Sequence, residues 1–431
     1  MILYPHQQIA LDDSDNENRV AYYHDMGLGK TFTGAEKLHR LGGRINLVVC
    51  QKSKIEDWIE HFSKYYSSES FIVYNLTNKK FLEKFVQYAK SVDEMITLVG
   101  VINYDLIFRR PEFSKIYIDT IMLDESSLIA NEMSKRSKFI LRKLKFKNVI
   151  LLSGTPTNGK YEQLWSQVRL LGWDISKDLF WKHYIEFEWQ DKNGFPMKVI
   201  KGYKNVERLK RKLREYGAQF LKTEDVLVLP DKIEQTIKIP TTKEYRKFRK
   251  DAIVEIDSKT LLGDTILTKI LYERQLCGSY NEHKLSAFKD ILDSTNDRII
   301  VFYNFNTELD RLRQIVDEMH RPCSIINGSQ KDLNAYENFD DSITFVQYQA
   351  GAMGLNLQKA NKIVYFTLPL GKGSCGLWEQ SKKRIHRIGQ NQTCFYYYLL
   401  CTNSIEERNL RMLKLGKDLT DELFVEGGDD E

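Results

Sequence analysis

Long apolar runs are missing from this chain of 431 residues. The longest, such as Ile363–Phe366 and Val149–Leu152, fall far short of the roughly 20 residues that span a bilayer. The first residues, Met1–Pro5, have neither the basic start nor the apolar stretch of a signal peptide. We therefore expect a protein without membrane association that stays in the cytoplasm.

Cysteine and proline are also scarce, with 6 and 8 residues respectively. No two cysteines stand at the short spacing of a zinc site, so we interpret them as reduced thiols, not as metal ligands or disulfides. Hydrophobic residues make up 42% of the chain and charged residues 29%, which is the composition of a folded globular protein. The length is two to three times that of a usual domain, so we expect several domains.

A strong excess of one charge is absent, because the net charge is only +5. Its distribution is uneven, however. Residues 198–250 carry more than twice as many Lys and Arg as Asp and Glu, and residues 421–431 carry six acids and no base. Such runs are most often solvated surface, so the charge pattern alone does not identify a nucleic-acid-binding protein.

Short β-type runs alternate with amphipathic helical stretches, which predicts an α/β fold with two successive parallel sheets. The expected strands are Val20–Tyr23, Ile45–Cys50, Met95–Val99, Thr120–Leu123, Val149–Leu152, Ile299–Phe302, Ser324–Ile326, Thr344–Gln347, Lys362–Phe366 and Phe395–Leu400. Apolar spacing predicts a helix across Leu309–Met319. Residues 173–280 are basic and have Val226–Leu229 as their one strand-like run. We expect them to be helical and to bridge the two sheets.

A candidate phosphate loop, His24–Thr31, follows the first strand and opens a helix. Gly27 and Gly29 let backbone N–H groups approach phosphate oxygens, Lys30 reaches the β- and γ-phosphates, and the Thr31 hydroxyl can ligate magnesium. The usual pattern has glycine five residues before Gly29, where this chain has His24. Taken alone, the segment is therefore also compatible with a glycine-rich helix cap.

Two carboxylates, Asp124 and Glu125, follow the buried strand that ends at Leu123. Ligands of open parallel sheets bind at this end of the strands. We expect Asp124 to hold magnesium and Glu125 to orient and deprotonate an attacking water. Another apolar strand runs into Ser153–Pro156, which would mean little as an isolated turn.

These segments, in this order, resemble the ATPase motor of superfamily-two helicases, and specifically Swi/Snf-type DNA translocases of DEAD/DEAH-box-like character. Asp25–Thr31, Asp124–Ser127 and Ser153–Pro156 match the first three motifs, Gly351–Leu357 resembles the fifth and Gln380–Gln390 the sixth. The resemblance implies two RecA-like lobes that use ATP and Mg²⁺. It also implies that Gln7 reads adenine and that Gly354 and Gln380 contact the nucleotide.

Arg384 and Arg387 match the arginine fingers of the family. The resemblance implies that the second lobe supplies them to the charge that develops on the γ-phosphate. We expect the two arginines to stand three residues apart on a helix, where they lie on one face and can both point into the cleft.

Two departures from the family pattern concern coupling rather than hydrolysis. Ser126–Ser127 replaces the Ala-His that commonly follows the acidic pair, and that histidine is thought to couple ATP state to the third motif. Gln349 stands where the family usually has arginine, which weakens the inference of close strand contact there.

Nucleic-acid contacts are expected mainly through phosphates, which position the motor without reading sequence. By resemblance the contact residues are Lys52 and Ser53, Tyr104, and Gly328 and Ser329. Trp58 and Trp378 can stack on bases, although a lone tryptophan is more often core packing. The basic residues 198–250 are a candidate for further backbone contact.

We therefore expect four regions: a first lobe in residues 1–172, a helical basic bridge in 173–280, a second lobe in 281–415 and an acidic tail in 416–431. The function expected is an ATP-driven monomeric motor on DNA, duplex or branched, with a protein partner left open. Because the chain ends soon after the sixth motif, we expect a compact bacterial or phage-type motor.

Three alternatives remain at this point. The first is a strand-separating or branch-migration helicase on forked or junction DNA. A motor that strips another protein from DNA is the second. The third, of a different class, is a nucleotide-gated DNA clamp without productive turnover, against which the intact Lys30, Asp124 and Glu125 argue.

Overall fold

The computed structural model describes residues 2–66, 71–91, 96–192, 195–257, 259–348, 355–371 and 373–424. Its backbone divides into two compact units, the first comprising the residues up to Leu227 together with those from Asp418 onward, and the second Val228–Lys417. The division therefore falls inside the segment expected to bridge two lobes. In the described residues, every helix is too short or too polar to cross a bilayer.

The first unit contains a parallel sheet of seven strands in the order β3-β4-β2-β5-β6-β1-β9. Its strands are β1 (Arg19–His24), β2 (Ile45–Cys50), β3 (Phe71–Asn75), β4 (Thr97–Asn103), β5 (Tyr117–Asp124), β6 (Lys145–Leu152) and β9 (Ala218–Leu221). A separate antiparallel hairpin consists of β7 (Ile185–Lys192) and β8 (Phe195–Tyr203).

Helices cover both faces of this sheet, so its central strands carry buried apolar residues on both faces. Val20 and Tyr22 of β1 pack into the core on one face, and Ala21 and Tyr23 pack into the core on the other. The helices of the unit are α1 (Pro5–Asp13), α2 (Lys30–Arg40), α3 (Ile55–Tyr65), α4 (Lys79–Lys90), α5 (Tyr104–Ile107), α6 (Lys135–Arg142), α7 (Trp165–Leu170), α8 (Lys177–Tyr184), α9 (Val206–Glu215) and α10 (Thr223–Val226).

The second unit contains a parallel sheet of six strands in the order β10-β17-β16-β13-β15-β14. Its strands are β10 (Lys232–Ile239), β13 (Ile299–Tyr303), β14 (Cys323–Ile326), β15 (Ile343–Gln347), β16 (Lys362–Tyr365) and β17 (Cys394–Cys401), beside a hairpin of β11 (Ile253–Ile256) and β12 (Lys259–Leu262). Its helices are α11 (Lys243–Asp251), α12 (Ile266–Cys277), α13 (Glu282–Asp293), α14 (Asn306–Glu318), α15 (Asn334–Asn338), α16 (Ser374–Lys382) and α17 (Ile405–Phe424).

Two parallel sheets with abundant helices confirm the predicted α/β class with two tandem parallel-sheet lobes. Strands lie at all ten expected positions, although Met95 falls outside the described residues. The helix predicted across Leu309–Met319 is α14.

The prediction that residues 173–280 are helical is corrected, because this segment contains β7 to β12 as well as helices. The predicted strand Val226–Leu229 is wrong: Val226 ends α10, and Val228 is fully exposed in the connection that follows. The true strands escaped notice because β9 has only four residues and β10 is an edge strand with mostly exposed side chains. Edge strands do not need the continuous apolar run by which a buried strand is recognised in a sequence.

The expected acidic tail, residues 416–431, begins within a helix. Helix α17 continues through this region to Phe424, so its first half is helical. Residues 425–431 lie outside the described residues.

Candidate active site

The candidate nucleotide site lies at the carboxyl ends of three neighbouring strands of the first sheet. β1 runs into the phosphate loop, β5 into Asp124 and Glu125, and β6 into Ser153–Pro156. Since β5, β6 and β1 are adjacent and parallel, the three predicted segments emerge at the same edge. The sheet order therefore brings together residues that are about 130 positions apart in the chain.

The phosphate loop has the backbone that its glycines permit. Gly27 and Gly29 have φ angles of 90° and 71°, a region that side-chain-bearing residues seldom occupy. Gly29 is the N-cap of α2, so Lys30 and Thr31 begin a helix whose first N–H groups favour an anion. The Lys30 ammonium donates to the carbonyl oxygens of His24 at 2.7 Å and Asp25 at 3.0 Å.

Gln7 of α1 packs directly against this loop. Its Nε2 donates to the carbonyl oxygens of Leu28 at 3.1 Å and Gly29 at 3.3 Å, and its Oε1 accepts from the Tyr4 N–H at 2.9 Å. His6 also lies within hydrogen-bond distance of the Leu28 carbonyl. The segment expected to read adenine is therefore also a brace for the phosphate loop.

Asp25 connects the phosphate loop to the residues that follow the edge strand β9. Its Oδ2 accepts hydrogen bonds from the backbone N–H and the hydroxyl of Thr223, at 3.1 and 3.0 Å. Thr223 follows β9, which pairs with β1. An edge strand that sequence analysis missed thus helps to hold the phosphate loop.

His24, which stands where the usual phosphate loop has glycine, is a buried residue. Burial, together with the nearby Lys30 and His6, lowers the pKa of its imidazole to about 3. The ring is therefore neutral at physiological pH, and it adds no positive charge beside Lys30.

Asp124 is held by two aromatic side chains. Trp58 Nε1 donates to Asp124 Oδ2 at 2.9 Å, and the Tyr104 hydroxyl donates to the Asp124 carbonyl oxygen at 2.9 Å. Burial raises the pKa of the Asp124 carboxyl, whereas the Trp58 hydrogen bond and the charges of Lys54 and Lys30 oppose that rise. The indole therefore stabilises the ionised carboxylate in a place where burial disfavours it.

Glu125 adopts a left-handed backbone conformation with a φ angle of 54°. This conformation is costly for a residue with a Cβ and is frequent at functional sites. It turns the chain sharply from β5 into the short 3-10 helix Ser126–Ile129. The orientation of the Glu125 side chain is thus tied to the position of Ser126.

Ser153–Pro156 lies against the phosphate loop. A Cβ placed on Gly154 would stand 2.9 Å from Met26 Cγ and 3.4 Å from Lys30 Nζ. A larger residue would therefore push into the loop, and glycine is required here by close approach instead of by backbone angle.

Gln167 of α7 is completely buried, and its side chain hydrogen-bonds to three segments of the candidate site. Its Oε1 accepts from the Ser126 hydroxyl at 2.8 Å and from the Tyr23 hydroxyl at 3.0 Å. Its Nε2 donates to the Pro156 carbonyl oxygen at 2.8 Å. One amide thus bonds to the strand before the phosphate loop, to the residue after the acidic pair and to the end of Ser153–Pro156.

The arginine-bearing segment of the second unit requires a correction. Arg384 and Arg387 are not on a helix, because α16 ends at Lys382 and the chain continues in turns. The helix stops since the chain folds back: the Leu357 N–H donates to the Arg384 carbonyl, and Arg384 Nη1 contacts the Leu355 carbonyl at 3.4 Å. Burial lowers the pKa of the Arg387 guanidinium.

Gln390 fixes this turn segment. Its Nε2 donates to the carbonyl oxygens of Gln358, Ala360 and Ile385. The predicted nucleotide contact Gln380 lies half-buried in α16. The predicted contact Gly354 and the departure at Gln349 lie outside the described residues.

The predicted nucleic-acid contacts divide into exposed and buried residues. Lys52 and Ser53 are exposed in a 3-10 turn after β2, and Gly328 and Ser329 are exposed in a loop ordered by Asn327, whose Oδ1 accepts three hydrogen bonds. The loop borders a surface pocket of about 500 Å³. These four residues are accessible to a phosphate backbone.

Tyr104 and Trp378 are buried instead, with about 2% and 1% of their surface exposed. Tyr104 supports Asp124, and the ring of Trp378 is covered by the Lys382 ammonium at 3.6 Å from its centroid. Trp58, also buried, bonds to Asp124. The structure therefore does not support these three aromatic side chains as stacking surfaces for bases.

Several residues of the site were beyond sequence reasoning. Thr223 lies 198 positions after Asp25, and Gln167 lies 41 positions after Ser126, so no local spacing links them. Trp58 carried a signal only as a tryptophan near a strand end. Their roles follow from the strand order, which places distant segments side by side.

Comparison with known proteins gives a family match over most of the chain. Residues 16–283 match the SNF2-related domain and residues 283–389 match the helicase conserved C-terminal domain. A Bacillus subtilis protein named "Putative ATP-dependent helicase/translocase YwqA" is 24% identical, with 93% of this chain and 46% of that protein covered. The Mus musculus SWI/SNF-related matrix-associated actin-dependent regulator of chromatin subfamily A member 1 is 25% identical, with 89% and 39% covered.

The chain is also similar to a solved structure, the Sulfolobus solfataricus SWI2/SNF2 ATPase core in complex with dsDNA. That similarity has a TM-score of 0.45 and 21% identity, and it covers 100% of this chain and 94% of the other. The chain spans less than half the length of each of these two curated relatives. Because the SNF2-related model alone matches well over half of its residues, the chain belongs to the SNF2-related family.

Proposed function

We propose that this protein is an ATP-driven motor that moves along double-stranded DNA. The observation that carries the proposal is the convergence of the phosphate loop, the Asp124–Glu125 pair and Ser153–Pro156 at one edge of a parallel sheet. This is where open α/β sheets bind ligands, and the residue types are those that phosphoryl transfer requires.

The residues of the loop suit a nucleoside triphosphate. Lys30 Nζ now bonds to two backbone carbonyls, so a phosphate would draw the ammonium from those acceptors to its own oxygens. The N–H groups at the start of α2 add positive potential in the same place. Gln7 keeps the loop in position through the Leu28 and Gly29 carbonyls.

Asp124 and Thr31 fit a magnesium ion, because a carboxylate and a hydroxyl are the hard oxygen ligands that Mg²⁺ prefers. The donor hydrogen bond from Trp58 opposes the rise in the pKa of the Asp124 carboxyl that burial causes, and it fixes one of its oxygens. Bound magnesium would offset phosphate charge during phosphoryl transfer. Glu125, turned out of β5 by its left-handed backbone, orients a water and accepts its proton.

Arg384 and Arg387 are proposed to supply the remaining positive charge for the γ-phosphate. This role rests on their place in the Gln380–Gln390 motif. The lowered pKa of Arg387 still leaves a guanidinium charged at neutral pH, since arginine ordinarily titrates above 12.

The DNA substrate is proposed from the family and from its relatives. The names of the two relatives cite helicase or translocase activity and chromatin regulation. Exposed Lys52, Ser53, Gly328 and Ser329 are the proposed phosphate contacts. The basic residues 198–250 belong to elements of both units, including α9 and α11, and are proposed as additional backbone contacts.

Steady-state ATP hydrolysis tests the proposal. Wild type and Glu125→Gln are each assayed without nucleic acid and with duplex DNA, single-stranded DNA, branched DNA or RNA. We expect plain duplex to stimulate wild type most strongly and Glu125→Gln to abolish turnover. Stimulation confined to single strands, junctions or RNA would replace duplex translocation with the corresponding activity, and ATP binding without turnover would leave a nucleotide-gated clamp.

A further inference from the structure

Gln167 makes the hydrogen bonds from which a further role follows. We propose that Gln167 is a positioning residue that couples the acidic pair to Ser153–Pro156, so that ATP turnover depends on its amide. The inference rests on the proposed ATPase function and adds a residue that none of the nucleotide motifs contains. The amide acts through its hydrogen bonds to Ser126, Tyr23 and Pro156.

Because the hydrogen bonds of Gln167 are buried, they favour one geometry of the residues that they join. Gln167, Ser126 and Tyr23 have essentially no exposed surface, so water does not replace a lost hydrogen bond. A buried hydroxyl or carbonyl without its partner bears the full cost of desolvation, which favours the single geometry in which all three bonds form. The amide therefore holds the relative positions of the three segments and does more than fill space.

Gln167 affects ATP hydrolysis through the position of Glu125. Ser126 follows Glu125 directly, and the left-handed backbone of Glu125 makes its side-chain direction sensitive to where Ser126 is held. On the other side, Pro156 belongs to the segment whose Gly154 approaches Lys30 Nζ. A displacement on one side of the amide is thus passed to the other through bonds of 2.8 Å on each side.

Gln167→Leu is the direct test, because leucine has a similar volume but neither donor nor acceptor. Ser126→Ala is the milder second variant, and it removes one bond and keeps the amide. Since ATP is held by other residues, we expect kcat for ATP hydrolysis with duplex DNA to fall about tenfold in Gln167→Leu, while KM for ATP changes less than about twofold. Ser126→Ala should lower kcat about threefold.

Ser166→Ala is the matched control. Ser166 is the neighbouring buried residue of α7, and its hydroxyl makes no hydrogen bond in the described part of the chain. We expect its kcat to equal that of wild type. Thermal unfolding and equilibrium binding of a fluorescent ATP analogue are measured for every variant, which separates a loss of folding or of nucleotide binding from a loss of positioning.

A double-mutant cycle completes the experiment. If Gln167 acts through Ser126, the combined variant should have about the kcat of Gln167→Leu alone, because the bond is already lost. A folded Gln167→Leu with wild-type kcat, or effects that multiply independently, would overturn the proposal. If Gln167→Leu does not fold, Ser126→Ala decides alone: a lower kcat at unchanged KM supports the coupling, and an unchanged kcat overturns it. Absence of turnover in wild type would instead contradict the proposed function itself.

Discussion

Trp58 Nε1 donates a hydrogen bond of 2.9 Å to Oδ2 of Asp124. Trp58, for which the sequence allowed base stacking but favoured core packing, is buried and supports the carboxylate expected to hold magnesium. Partners of this kind orient a ligand and raise its affinity for the metal.

Replacing Trp58 with Phe should therefore weaken magnesium binding. The ring packing is largely retained, but Asp124 loses the donor that favours its ionised form. We expect the Mg²⁺ concentration for half-maximal ATP hydrolysis to rise roughly tenfold. Trp181→Phe is the control, since Trp181 Nε1 has no hydrogen-bond partner within the described residues. Equal magnesium dependence of the two variants would contradict a role for the indole.

Gly29→Ala should impair the phosphate loop by two separable effects. A Cβ there would lie 2.3 Å from Gln7 Nε2, and the φ angle of 71° disfavours any side chain. We expect KM for ATP to rise about fivefold or more. Gly42→Ala is the matched control, because its φ angle is 61° but its Cβ would meet nothing within 4 Å.

Combining Gly29→Ala with Gln7→Ala separates the two effects. The second change removes the clashing amide, and Gln7→Ala alone is the reference because that change also removes the bonds to the Leu28 and Gly29 carbonyls and the expected adenine contact. If Gly29→Ala alone left KM for ATP unchanged, the tight packing of α1 against the phosphate loop would not be needed for ATP binding.

His24 should make stability fall in mild acid. Its pKa is about 3 in the folded protein, against an ordinary value near 6.5. Below pH 6.5 the unfolded chain binds a proton that the folded chain does not, so stability is lost as the pH falls toward 3. Between pH 7 and pH 5.5 this amounts to about 1 kcal/mol.

The measurement is the urea unfolding midpoint at both pH values. His24→Gln should reduce the difference between them, whereas His320→Asn, a change at an exposed histidine, should not. An equal pH dependence in wild type and His24→Gln would show that the buried imidazole is not responsible.

The buried ion pair of the second unit should respond asymmetrically to mutation. Lys284 Nζ bonds to both carboxylate oxygens of Glu406 at 2.6 and 2.8 Å, and neither side chain is exposed by more than 6%. Lys284→Met leaves a buried carboxylate unpaired, so we expect a loss of about 3–5 kcal/mol in the free energy of unfolding.

Removing both charges should restore much of that loss. Lys284→Met with Glu406→Leu eliminates the unpaired charge, and its urea midpoint should lie closer to wild type than that of the single variant. Lys359→Met is the control, because the Lys359–Glu337 pair is half-exposed and should contribute less than about 1 kcal/mol. A Lys284→Met midpoint no lower than that of Lys359→Met would contradict this account.

The fold and the core of the site were largely accessible from sequence. Buried strands of parallel sheets carry apolar runs such as Ile45–Cys50, and the candidate magnesium ligand Asp124 directly follows such a run. Edge strands have one neighbour and need fewer apolar residues, so β9 and β10 went unnoticed.

The supporting residues could not be predicted in the same way. Whether Trp58 stacks on a base or bonds to Asp124 depends on burial, which a single tryptophan does not reveal. The turn that carries Arg384 and Arg387 is set by hydrogen bonds from Gln390 to residues about 30 positions earlier. Such contacts are made by tertiary structure and leave no local pattern.

Displacement of a third strand from a DNA triplex tests the central claim most directly. Wild type is mixed with duplex DNA carrying a short triplex-forming strand, with ATP and Mg²⁺, and Glu125→Gln serves as the inactive control. If the protein moves along duplex DNA, wild type displaces the third strand in an ATP-dependent manner without separating the underlying duplex, and Glu125→Gln displaces none. Duplex-stimulated ATP hydrolysis without any displacement would contradict movement along DNA.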